Sequence, residues 1–246
     1  MLKPFLRTRI NYSWQLGLTL ILVFGFLRIW AVRYGIESGN NSFLSVVFIA
    51  MALLPFLLLS KSGRKQMGIR RIQNPLWIPA GFLVGAVSCL LIYAIGQLAF
   101  GDTMSNWFRY IGSTYPLDFE TVSDVDRKIY FWIIAGIGMT FSPFGEELLY
   151  RGLVHDSLAQ KWSERTAAML DSLAFGLTHL IHFGWVFHAG EWQLLSFPAI
   201  CWVALMFATG LVFNLCKSMS NSIWGAVIAH MGFNLTMTFC IFYLIY

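Results

Sequence analysis

Apolar residues in this chain run on for whole helical lengths instead of alternating with polar ones. Seven such runs fall at about 12–32, 42–60, 75–100, 129–149, 166–187, 197–216 and 222–244. About 20 apolar residues, rising 1.5 Å each, span the roughly 30 Å hydrocarbon core of a bilayer. The pattern predicts an all-α fold, a polytopic transmembrane helical bundle of about seven to eight spans. A β-barrel does not fit, because barrel strands are short and alternate apolar with polar positions.

Composition sharpens this picture. Of 246 residues, 57% are hydrophobic and 12% charged, whereas soluble domains carry about 25% charged residues. A soluble globular enzyme, a disordered chain and a disulfide scaffold are thereby excluded. One integral membrane domain is expected over 1–246, with N-terminal helices and an extracytoplasmic loop in 1–128 and a motif-bearing core in 129–246. Cys89, Cys201, Cys216 and Cys240 sit in or beside apolar runs without a CxxC pair, and read as small buried apolar residues. The first run is span-length and no small-residue cleavage site follows it, so no cleavable signal peptide is expected.

Charge placement predicts orientation. Lys3, Arg7 and Arg9 precede the first run, and Lys61, Arg64, Lys65, Arg70 and Arg71 follow the second. Arg151, Lys161 and Arg165 lie between the fourth and fifth, and Lys217 follows the sixth. Alternating spans put all of these on one side, which the positive-inside rule makes cytoplasmic. The expectation is an integral cell-membrane protein with a cytoplasmic N-terminus and, for an odd span count, an external C-terminus. Topology accounts for the net charge of +5, so the lipid bilayer is an expected partner and nucleic acid is not. The long connection 101–128 carries Trp107, Tyr110 and Tyr115, whose rings are expected at headgroup level. Arg28, four residues from the end of the first run, reads as a snorkelling anchor. His155 and His188 read as solvent-side.

Ionisable residues at membrane depth are costly and mark function by default. Three blocks carry them: Phe144-Gly145-Glu146-Glu147-Leu148-Leu149-Tyr150-Arg151, then Phe175-Gly176-Leu177-Thr178-His179 with His182 beyond, then His230-Met231-Gly232-Phe233-Asn234. Glu147 and Arg151 stand four apart, on one helical face, where they can pair. Glu146 is rotated about 100° from Glu147, so the two carboxylates can serve different partners. His230 and Asn234 also share a face. His179 lies roughly 20 Å and His230 roughly 12 Å into their runs, so the set converges in the cytoplasmic half of the bilayer. Pro143 and Gly145 are expected to break or widen the helix before the acids and let water in.

Two histidines and a glutamate facing a wet cavity fit two chemistries. One is a zinc site with Glu146, His179 and His230 as ligands and one position open for water. The other needs no cofactor: a glutamate acts as general base on water with histidine assistance, while His and Asn donate to a developing oxyanion. Asn234 favours the second, because a neutral amide suits an oxyanion better than a divalent cation. No HExxH helix is present. Asp171, two turns before His179, is expected to hydrogen-bond within the bundle.

These blocks resemble the CPBP family, also called the Abi or CAAX-protease family of intramembrane endopeptidases. The family pattern Glu-Glu-x-x-x-Arg, Phe-x-x-x-His, His-x-x-x-Asn is met in order by Glu146-Glu147…Arg151, Phe175…His179 and His230…Asn234. The resemblance covers 129–246. It implies a helical intramembrane protease of the glutamate-dependent type, without a metal. In it Glu146 and His179 activate the water, and His230 and Asn234 form the oxyanion site. Glu147 and Arg151 hold the carboxylates, with Phe175 supporting. His182 lies outside the pattern, one turn from His179, and is expected to support it by tuning it or to replace it in role. The implied partner is a peptide or protein substrate in or at the membrane, cleaved near the cytoplasmic face. A non-catalytic immunity or adaptor protein of the same fold is the alternative. A proton-coupled transporter fits less well, because polar residues gather in one half of the chain and no paired repeats are visible.

Overall fold

A computed structural model describes residues 1–246. Its helices are α1 (Trp14–Ser38), α2 (Ser42–Leu58), α3 (Lys61–Met67), α4 (Trp77–Phe100), α5 (Trp107–Ser113), α6 (Asp124–Glu146), α7 (His155–Leu158), α8 (Glu164–Thr178), α9 (Ser196–Ser220) and α10 (Ile223–Cys240). Two short strands, β1 (Trp185–His188) and β2 (Glu191–Leu194), form one antiparallel hairpin with Trp185 opposite Leu194 and His188 opposite Glu191.

Four helical stretches are long and apolar enough to cross a membrane: Trp14–Ser38, Trp77–Phe100, Ser196–Ser220 and Ile223–Ile245. Their outward faces carry Leu22, Phe26, Leu83, Leu98 and Ile200, all exposed. Contiguous apolar surface of this extent is matched to lipid, not water, and the chain is an integral membrane protein built as an all-α bundle.

The other apolar segments of the expected seven to eight spans are shorter or interrupted. The apolar helix α2 has 17 residues, and α6 opens on Asp124 and Asp126. The expected fifth span, 166–187, is broken. α8 stops at Thr178 after 15 residues, about 22 Å of helix. A single 3-10 turn (His179–Ile181) follows, and then Gly184, at φ 107°, turns the chain into the hairpin. Freed backbone groups find partners. The His179 carbonyl accepts from the His182 and Phe183 amides and from Trp202 Nε1, and the Gly184 carbonyl accepts from the Leu195 amide. Apolar composition alone does not reveal such a break, because the run continues through Leu180, Ile181, Phe183 and Trp185-Val186-Phe187.

Small residues let the helices meet closely. A Cβ on Gly85 of α4 would overlap the Ala229 carbonyl of α10, and one on Gly232 would overlap the Phe82 carbonyl. A Cβ on Gly145 would fall 2.6 Å from the Phe48 carbonyl oxygen of α2. These approaches seat α10 against α4, and α6 against α2, so that His230 and Glu146 are fixed by backbone contact.

The 101–128 connection differs from expectation. Its helix α5 turns Trp107 and Tyr110 inward, where both are buried. Trp107 donates to the Ile92 carbonyl and packs 5.7 Å from Trp202, and Tyr110 accepts from the Phe187 amide of β1. Their indole and phenol polar atoms are satisfied inside the bundle, so the headgroup is not needed as a partner.

The bundle has two chemically different ends. At one, Leu2 pairs with Leu59, the Gly68 carbonyl accepts from the Ile223 amide, and Lys217 donates to the Arg151 carbonyl. That end gathers Lys3, Arg7, Arg9, Lys61, Arg64, Lys65, Arg70, Arg71, Lys161 and Arg165. The opposite end holds the α1–α2 turn, α5, the hairpin and the C-terminus, together with Glu37, Asp102, Asp118, Glu120, Asp124, Asp126 and Glu191.

Candidate active site

The site begins where α6 changes pitch. The helix runs through Pro143 and Gly145 and then widens into a π-helical stretch, Glu147–Val154. Proline removes one backbone donor from the helical ladder, and π-helical turns occur preferentially at functional sites. Glu146 and Glu147 sit at this junction, both fully buried, and they turn to different partners.

Glu146 faces α1. Arg28 Nη1 lies 2.9 Å from Glu146 Oε2, at ion-pair distance but not aligned as a hydrogen bond. Arg28 Nε donates to His182 Nε2 at 3.1 Å, and Arg28 Nη2 lies 3.3 Å from His179 Nε2. His179 Nδ1 lies 2.7 Å from the Phe175 carbonyl oxygen. A proton on Nδ1 is thereby implied, which leaves Nε2 as an acceptor for Arg28. On its other oxygen, Glu146 accepts from Ser142 Oγ at 2.8 Å.

Glu147 faces α10. Its Oε1 lies 2.8 Å from His230 Nδ1, and its Oε2 lies 3.3 Å from Arg151 Nε. His230 Nε2 is left pointing toward Ser142 Oγ, 3.5 Å away. Arg151 also reaches Asp171 at 3.7 Å, and Asp171 in turn bonds His155 Nδ1 at 2.7 Å and Asn214 Nδ2 at 2.9 Å. Asp171 is therefore a bundle hydrogen-bond centre. His155 is not on the solvent side as its position in a polar turn had implied. It is buried, bridging Asp171 and Glu164. His188 is exposed on β1.

Phe175 lies between the two ion clusters. Its ring centre is 4.3 Å from that of His179, 6.0 Å from that of His230 and 4.1 Å from the Arg151 guanidinium. Phe213 stacks on His230 at 4.8 Å. Asn234, one turn beyond His230, donates to the Gly138 carbonyl of α6 at 2.8 Å.

A cavity of about 290 Å³ opens onto this assembly, lined by Arg28, Ser142, His179, His182, His230 and Asn234 at its polar end. Val32, Phe48, Ile134, Phe233 and Met237 line its apolar wall, and Asn41, Leu44, Thr114 and Tyr115 its far end. Glu146 does not line the cavity; it sits behind Ser142 and Arg28. Arg28 stands about 21 Å along α1 from its basic end, and the cavity continues from the site residues to Asn41, Thr114 and Tyr115 at the acidic end.

The residues do not fit a zinc ion as they stand. Among Glu146, His179 and His230, the first two face the Arg28 guanidinium and the third holds Glu147 through Nδ1. No three His, Cys, Asp or Glu side chains are grouped as a metal site. A divalent cation at Glu146 and His179 would meet a fixed positive charge already between them.

The sequence reading missed Arg28 and Ser142. The apolar run appeared to end near residue 32, which put Arg28 close to water, but α1 continues to Ser38. Arg28 lies about 21 Å from the start of that helix and is 2% exposed. Ser142 had a legible signal, standing four residues before Glu146, on the same helical face.

Three histidines and the Asn234 amide thus line one cavity inside the bundle, with the Glu146 and Glu147 carboxylates held directly behind them. The family model "Type II CAAX prenyl endopeptidase Rce1-like" matches residues 128–236. Over those residues the chain is similar to the CPBP/CAAX protease family. No curated protein and no solved structure matches it.

Proposed function

We propose that the protein is a glutamate-dependent intramembrane endopeptidase. The observation that carries this reading is the meeting of His179, His230 and Asn234 at one cavity, with Glu146 held directly behind Ser142. Glu146 is the base for water, reached through a small rotation of Ser142, with His179 assisting. His230 is oriented by Glu147 through Nδ1 and presents Nε2 to the cavity. As an imidazolium it donates to the oxyanion beside the Asn234 amide. Glu147 and Arg151 hold this arrangement, Phe175 packs between the clusters, and His182 shares Arg28 with His179. No metal takes part in this scheme.

The substrate is a peptide segment of a membrane-associated or C-terminally processed protein. The Lys/Arg-rich end is cytoplasmic by the positive-inside rule, which puts the N-terminus inside and the protein in the cell membrane. The cavity then admits substrate from the external side, while the bond is cut deeper in the bundle. The seven apolar segments give seven crossings, with α2, α6 and the broken α8 packed among the four long ones.

The test is cleavage of a CAAX-type peptide by detergent-purified protein with and without a strong chelator. Chelator-resistant cleavage that disappears in Glu146→Ala and His230→Ala supports the reading. Chelator-sensitive cleavage with about one zinc per chain overturns the metal-free scheme. A membrane adaptor is the second reading, favoured by Glu146 lying outside the cavity. It predicts that both variants keep the cellular phenotype.

A further inference from the structure

Arg28 belongs to no motif and lies outside the matched segment 128–236, yet its guanidinium is the centre of the acid–histidine cluster. It stands 2.9 Å from Glu146, 3.1 Å from His182 and 3.3 Å from His179, with the Phe48 ring 5.5 Å from its Cζ. Its side chain is 3% exposed and that of Glu146 fully buried. A carboxylate taken out of water is tolerated only beside a compensating charge. Arg28 is the one Lys or Arg that forms an ion pair with Glu146, and Arg151 is engaged by Glu147 and Asp171. Arg28 also borders the cavity, so its charge faces the space where substrate would lie.

We infer that Arg28 is a positioning residue of the active site. Its guanidinium, delivered by the N-terminal helix, balances the Glu146 carboxylate and holds His179 and His182 by their Nε2 atoms, so that a fixed organic cation stands where many hydrolases place a metal. A planar guanidinium suits this office because it offers several donors in one rigid plane. One donor edge meets the carboxylate and the others meet the two imidazoles. Lysine would supply the charge without the fork. The inference rests on the endopeptidase reading, because the office it assigns is to order the groups that act on water.

The experiment compares wild type, Arg28→Ala, Arg28→Lys and the double variant Arg28→Ala/Glu146→Gln in detergent, by peptide cleavage and by melting. Arg28→Ala is expected to lose about 10²-fold or more in kcat, the scale of a misplaced base, with little change in KM. Guanidinium ion, added to Arg28→Ala, restores cleavage saturably, whereas ethylammonium restores less; Arg28→Lys is intermediate. The double variant melts above Arg28→Ala, because it no longer buries an unbalanced carboxylate, and stays inactive. Unchanged kcat in Arg28→Ala while Glu146→Ala is dead overturns the inference and leaves the endopeptidase reading standing. Lost kcat that guanidinium does not restore, with melting recovered in the double variant, makes Arg28 structural and also overturns it. Wild type that fails to cleave any family-type peptide overturns the endopeptidase reading and this inference with it, while the melting comparison still reports the charge pair.

Discussion

His230 Nδ1 lies 2.8 Å from Glu147 Oε1, although the two come from different helices, α10 and the π-helical end of α6. A carboxylate on one ring nitrogen fixes both the tautomer and the direction of the other, which here is Nε2 toward Ser142 and the cavity. Glu147→Gln keeps the size and removes the charge. It is expected to lower kcat about 10²-fold and also to lower the melting temperature, because buried Arg151 loses a charge partner, so cleavage kinetics are read well below the variant's melting transition. Activity equal to wild type would remove His230's orientation by Glu147 from the mechanism.

Asp171→Ala is expected to act on stability first. It strips a partner from Arg151, His155 and Asn214 at once. Removing one member of a buried ion pair costs about 3–5 kcal/mol. A large fall in melting temperature is the expected result, and Asp171→Asn should recover part of it through its remaining carbonyl oxygen.

Phe175→Ala opens a hole between the two clusters. Truncating a buried phenylalanine costs about 3–5 kcal/mol, and here the Arg151 and His179 contacts go with it. Phe175→Leu should retain most of the melting temperature yet lose more activity than stability, because the flat face against both ions is gone.

Helix contact can be tested by adding one methyl group. Gly85→Ala drives a Cβ into the Ala229 carbonyl, next to His230, whereas Gly136→Ala meets nothing within 4 Å. Overpacking costs typically about 1–3 kcal/mol, so Gly85→Ala should melt lower and cleave more slowly. Gly136→Ala should match or slightly exceed wild type in melting.

The cavity's direction makes a topological prediction. Asn41, exposed at its far end, and Ser62, exposed at the basic end, are 21 residues apart across α2. A membrane-impermeant maleimide should label Asn41→Cys in intact cells and Ser62→Cys only after permeabilisation. Three of the four native cysteines are buried, which keeps background low. The reverse labelling pattern would invert the orientation.

The helical character of the apolar runs, the pairing of Glu147 with Arg151 and the gathering of the three motif blocks follow from periodicities of 3.6 and from i, i+4 spacing. What composition hides is where an apolar stretch stops being helical. The chain stays apolar past Thr178 through Leu180-Ile181 and Trp185-Val186-Phe187, so the helix break leaves no polar mark. The depth of Arg28 was concealed for a related reason: Arg33 and Tyr34 look like the edge of a membrane span, whereas the helix carries on to Ser38. Glu164's reach to His155 depends on tertiary folding that no local spacing encodes.

The hairpin also joins parts of the chain that share no sequence signature. Arg33 of α1 lies against Trp185 and Trp192, and Glu37 accepts from Trp192 Nε1, while β1 takes hold of Tyr110 through Phe187. The helix that carries Arg28 is thus moored at the membrane surface by a clasp that also grips the segment after His182. The axial position of Arg28 is thereby set from two sides, by this clasp around Arg33 and Glu37 and by the acid–histidine cluster itself.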